Sequence, residues 1–141
     1  LFLAFLLVAS AYALWRGGGP ERTMAGIAWT MVAADQLLHA YVPPEFAALD
    51  TGHLAIDLCG AAATTLLALC AHRFWPMVVA VLHMLPLLAH TTRILDVTMQ
   101  PTVYLTMQVA TSWPVPLILA LATWRHQRRL RRGENEPSWQ I

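Results

Sequence analysis

Two aspartates and four histidines fall inside stretches that otherwise read as helix made for hydrocarbon. Asp35 and His39 share one apolar stretch, His53 and Asp57 the next, and His83 and His90 a third. An ionisable side chain in hydrocarbon costs free energy unless it has a partner or a task, so these positions are the functional pointers of the chain. Asp35 with His39 and His53 with Asp57 are each spaced i,i+4, which puts each pair on one face of a helix. His83 and His90 are spaced i,i+7, one above the other. A carboxylate beside an imidazole orients the ring and makes it a better ligand.

Three chemistries fit this pattern. A metal ion could take imidazole and carboxylate ligands from His39, His53, Asp57 and His90, with Asp35 beside them, although the spacing matches no zinc-protease motif. Haem b could be held between facing helices, with His39 and His90 the pair best matched in depth; His83 lies ~10 Å deeper than His90. A relay of Asp and His could move protons through one half of the membrane, while the apolar other half argues against a complete channel in one subunit. Beside these stands a packing reading, in which Asp35 pairs with His39 and Asp57 with Arg93 and the polar groups only hold helices together. Arg93 and Gln108 complete the polar cluster. No catalytic triad, phosphate loop or dinucleotide fingerprint is present, which favours a binding or assembly role over catalysis.

Helices must position these groups, and the composition says where they run. Of 141 residues, 57% are hydrophobic and 12% charged, about half the charged fraction of a soluble domain. All nine basic residues are Arg. Five apolar stretches are expected as helices, at about 1–15, 23–42, 52–72, 75–95 and 102–124. The last four approach the ~20 residues that cross a bilayer; the first is short. Since the chain begins with Leu1, that first helix reads as truncated. Its rival reading is a signal peptide with an A-x-A site at Ala11-Tyr12-Ala13. The fold class expected is an all-α integral membrane bundle of four full spans plus the first helix, one domain over 1–132 with a flexible cytoplasmic tail over 133–141.

Arginine placement decides the topology. With five spans, Arg16, Arg22, Arg73 and the tail share the inner side, and only Arg93 lies towards the outside. Cleavage of the first segment would turn Arg16, Arg22 and the tail outward, so five spans with the C-terminus cytoplasmic and the N-terminus outside is preferred. Trp15, Trp75 and Trp124 then line the inner interface and Tyr41 and Tyr104 the outer one, as an aromatic belt would. Measured from the outer ends, His39, Asp57, His90 and Gln108 come within ~10 Å of the interface, as one polar layer across four helices. His72 and His126 fall at the inner surface and are expected to be solvated. Cys59 and Cys70, about 16 Å apart along one helix, cannot pair and read as apolar filler.

The connections are short. Arg16 to Arg22 reads as a flexible turn, Val42 to Thr51 as the longest outer loop, with Asp50 or Thr51 capping the next helix. Pro86, Pro114 and Pro116 are candidate kinks. Small residues at Ala25-Gly26 and Gly60-Ala61-Ala62-Ala63 mark the second and third helices as the close-packed interior. Arg125, Arg128, Arg129, Arg131 and Arg132 follow the last helix and could meet anionic lipid head groups. The bilayer is the expected partner, with a homo-oligomer or a larger membrane complex open; no recognition module for nucleic acid accompanies the arginines.

The run Asp50-Thr51-Gly52-His53-Leu54-Ala55-Ile56-Asp57, then Arg73-Phe74-Trp75-Pro76, then His90 and Arg93 to Asp96, resembles small polytopic inner-membrane proteins of bacteria that carry no assigned activity. The resemblance implies a bacterial inner-membrane location and lends no catalytic residue. Bundles such as b-type cytochromes and DoxX-like proteins are of similar size, but no motif diagnostic of either occurs.

Overall fold

The structure, a computed structural model, describes residues 1–41, 51–95, 100–134 and 137–140, with side chains described in those segments except at 93, 101, 104, 105, 107 and 108. Among the described residues six helices follow in order: α1 (Phe2–Arg16), α2 (Gly19–Tyr41), α3 (Thr51–Cys70), α4 (Trp75–Leu95), α5 (Pro101–Ala110) and α6 (Pro114–Arg131). There is no strand among the described residues, so the chain is an all-helical bundle.

The boundaries follow from local chemistry. α2 begins four residues earlier than expected and absorbs most of the anticipated turn. The Gly18 N–H donates to Glu21 Oε2 at 3.1 Å, which is half of a capping box. Pro20 then sits in the first turn, where a missing N–H costs nothing. Only Gly17 and Gly18 remain as linker. The expected helix over 102–124 is instead α5 and α6, interrupted at Thr111–Trp113. Pro114 cannot donate to the Ala110 carbonyl, nor Pro116 to Ser112, and each ring crowds the turn before it. Thr111 and Trp113 keep right-handed helical dihedrals, so the run loses ladder bonds without reversing. Pro86 lies inside α4, which continues past it.

α3 packs on both α2 and α4; α1 packs on α2 and α6; α2 and α4 also meet α6, and α4 meets α5. The buried core is Leu6, Ala9, Ala13, Met24, Ala25, Ala28, Leu67, Ala71, Val79, Val115 and Leu119. Most of these lie toward the end of the bundle that carries the α1–α2 and α3–α4 turns and the C-terminal arginines, here the arginine end, with Leu6 and Val115 nearer its middle. The opposite end, where α2 and α4 finish and α3 begins, holds the histidines. There Asp35, His39 and His53 are partly exposed while Ala89 and His90 are buried.

The outer surface is apolar. Thr51–Cys70 and Trp75–Thr92 have the length and hydropathy of a membrane crossing, yet only 22% and 33% of their apolar windows are buried inside the protein. A core helix of a soluble domain would hide most of that surface. Leu66, Leu69, Val81 and Leu88 are among the large side chains turned outward. Monomers in water rarely leave such surface bare.

Of the tail expected to be flexible over 133–141, residues 133, 134 and 137–140 are described. Its described residues fold back on the α3–α4 turn: Ala71 and Trp139 form an antiparallel bridge, the His72 N–H donates to Ser138 O at 3.1 Å and the Gln140 N–H to Cys70 O at 2.8 Å. These bonds satisfy carbonyls and donors that a helix end leaves open. His126, expected in solvent, is half-buried: a Cβ placed on Gly18 would lie 2.9 Å from its Cε1 and 3.1 Å from Glu21 Oε2.

Candidate functional site

The histidine end holds two polar clusters, one helical turn apart on α3. The upper one joins α2 to α3. His53, in the first turn of α3, donates its Nε2–H to Asp35 Oδ1 at 3.1 Å. His39, one turn beyond Asp35 on α2, donates Nδ1–H to the Asp35 backbone carbonyl at 2.8 Å, and the same nitrogen is 3.5 Å from Asp35 Oδ2. The two imidazoles meet edge to face with centroids 5.0 Å apart. A carbonyl can only accept, so Nδ1 of His39 carries the proton and Nε2 keeps its lone pair for a ligand. That is the second-shell arrangement that orients metal-binding histidines.

One ligand atom from each of Asp35, His39 and His53 lies within 4.8 Å of the others, and no other group of this kind occurs among the described residues. Tetrahedral zinc, with bonds near 2.1 Å, needs ligand atoms about 3.4 Å apart. Binding would require side-chain rotation to close that difference, and His53 Nε2 would exchange its proton for the ion. Two imidazoles and one carboxylate leave a coordination position open, as in catalytic zinc sites and ferrous facial triads. Side-chain exposures of 22–39% keep the site reachable. The C-terminal dipole of α2 favours a cation here and the N-terminal dipole of α3 opposes it, so the helix ends largely offset.

The lower cluster joins α3 to α4. His90 Nε2–H donates to Asp57 Oδ2 at 2.9 Å, with His90 only 1% exposed. His53 and His83 also lie within electrostatic reach of Asp57. His83 turns its Nδ1–H to Val79 O at 2.9 Å and approaches Gly60, whose added Cβ would sit 3.5 Å from His83 Cδ2.

The single polar layer expected from sequence is thus two tiers. The metal set expected as His39, His53, Asp57 and His90 is split between them: Asp35 joins His39 and His53, while Asp57 and His90 bind each other. The haem pair His39 and His90 is not brought together, since His90 Nε2 is engaged by Asp57 on the α4 side of α3 and His39 sits on the α2 side. Asp57 bonds His90, and the expected contact with Arg93 falls outside the described residues. The side chains of Arg93 and Gln108, and Asp50 and Asp96 entirely, lie outside the described residues. Toward the arginine end, Thr64 turns its hydroxyl to Gly60 O at 2.8 Å, and Leu67 and Val79 follow. A relay from the histidine end therefore has no continuation there among the described side chains.

Glu21 is the polar residue sequence reasoning passed over. It is 1% exposed, and its Oε1 has no hydrogen-bond partner among the described residues. The signal was present as a Gly-x-x-Glu spacing at a helix start; its burial under α1 and α6 was not. Among the tail arginines, Arg125, Arg128, Arg131 and Arg132 are exposed, with Arg128 stacked on Trp124. Arg129 is partly covered and lines a 290 Å³ pocket with Arg73, His126 and Glu134. No family model, curated protein or solved structure matches this chain.

Proposed function

We propose that this chain is a polytopic protein of the bacterial plasma membrane that binds a divalent transition-metal ion, zinc or ferrous iron, at Asp35, His39 and His53. The observation that carries the reading is the convergence of those three side chains, one ligand-capable atom of each lying within 4.8 Å of the others. The outward-facing leucines and valines of α3 and α4 support insertion. Positive-inside asymmetry supports an arginine end in the cytoplasm, where the exposed tail arginines meet anionic head groups at about 1 kcal/mol each.

Zinc titration of the purified protein in neutral detergent tests the site. The expected result is one tight zinc per chain, lost in Asp35→Asn with His53→Ala. Stoichiometric binding that survives this double substitution, or its absence from the wild type, would overturn the proposal.

A second reading applies to the lower cluster. The closed, buried Asp57–His90 contact favours a packing role that fixes α4 against α3, as an accessory or assembly subunit would need.

A further inference from the structure

α2 and α3 leave between them a groove of about 620 Å³, a size typical of small-molecule pockets. Its walls are Gly26, Thr30 and Ala34 on α2 and Ala55, Cys59 and Ala63 on α3. Each trio is spaced i,i+4, so each is one helix face, ~12 Å long. The Thr30 hydroxyl is turned into its own helix, donating to Gly26 O at 2.9 Å, which leaves the walls apolar in character. Met31, which packs against Gly60, lines the groove midway along its length. One end lies at Ala34 and Ala55; Asp35 stands one turn beyond Met31 on α2 and His53 one turn before Ile56 on α3, on helix faces that line the groove. An apolar trough therefore ends at a three-ligand cluster with an open position.

Charge identifies the occupant. A divalent ion on Asp35 and two neutral imidazoles bears a formal +1, in a setting where an uncompensated charge is costly. An anionic oxygen donor fills the open position and cancels that charge, and an apolar chain attached to it would lie along the trough. We propose that the α2–α3 groove binds a single-chain fatty carboxylate, its carboxylate on the metal held by Asp35, His39 and His53 and its chain between Gly26 and Ala63. This rests on the metal reading above and names the ligand class of that site.

Laurate is the probe, with protein in phosphatidylcholine nanodiscs, with and without zinc. Zinc titration without laurate reports on the metal site alone; if it shows no site, the underlying reading falls and this one with it. Given zinc binding, laurate is expected to bind about tenfold more tightly to the zinc-loaded protein than to the zinc-free one. Ala55→Phe, which fills the trough from an exposed position, is expected to weaken laurate about tenfold and leave zinc titration unchanged. In a Cys70→Ser background, laurate should also slow alkylation of Cys59 by a maleimide, only when zinc is present; this needs no groove substitution. Equal laurate affinity with and without zinc, no effect of Ala55→Phe, or unprotected Cys59 would each overturn the inference while leaving the metal site intact. So would efficient Cys59–Cys59 cross-linking between copies, which would assign the groove to a second chain.

Discussion

Removing His90 isolates what the Asp57–His90 contact contributes. Two magnitudes compete. The net worth of a polar contact between membrane helices averages about 0.6 kcal/mol, because the separated helices also find partners. Stranding one member of a buried pair costs far more, about 3–5 kcal/mol. His90 is 1% exposed and its bond to Asp57 is 2.9 Å long, so His90→Ala strands the Asp57 carboxyl inside the bundle. The loss has a ceiling: a stranded carboxylate can take up a proton, which at pH 7 costs about 4 kcal/mol from an ordinary carboxyl. The expected destabilisation is therefore about 3–4 kcal/mol, two to three orders of magnitude in the unfolding constant. Asp57→Leu with His90→Leu removes both polar groups, the partly exposed position 57 giving the larger side chain room, and is expected within about 1 kcal/mol of wild type. SDS-driven unfolding in mixed micelles, followed by far-UV circular dichroism, reads both values. If the double leucine variant is as unstable as His90→Ala, the contact is more than mutual neutralisation, and the packing account of the lower cluster is refuted.

Other contacts give equally direct tests. Gly60→Ala drives a methyl into Met31, overpacking worth about 1–3 kcal/mol; adding Met31→Ala should restore most of the loss in the same unfolding assay. Gly19→Ala would bring a Cβ to 2.8 Å from Trp139 Cε2, so the tail should detach and be cleaved faster by carboxypeptidase, with the helical content unchanged. Replacing Arg125, Arg128, Arg131 and Arg132 by Gln should weaken partition of an α6 peptide to phosphatidylserine vesicles by about 4 kcal/mol at low salt; an unchanged partition would leave topology as their only role.

The helices were legible because each is a run of apolar residues bounded by proline, glycine or charge, and hydrocarbon solubility depends on composition rather than on partners. α4 falls at the expected residues, and α1 and α3 within a residue or two. Errors arose where a single backbone group decided the outcome. Glu21 reaches back to cap Gly18 and starts α2 early; Pro114 and Pro116 withhold two donors and split the last helix. The Asp and His residues were legible as well, since ionisable side chains in an apolar stretch need no structure to be noticed.

Their pairing was not. The i,i+4 rule places Asp35 with His39 and His53 with Asp57 on common faces, and only the first is joined directly among the described bonds. The stronger bonds cross between helices, Asp35 to His53 and Asp57 to His90. Helix spacing is a property of one element, whereas which faces meet depends on the rotation and height of two. The same holds for Trp139 on Gly19 and for Glu21 beside His126, contacts between residues distant in the chain. By itself the sequence determined that helices form, which are apolar, and that their polar groups gather toward one end, because periodicity and transfer free energy are local. Only the tertiary structure decided that Asp35, His39 and His53 form one site and Asp57 and His90 another, because those contacts are set by how α3 is wedged between α2 and α4.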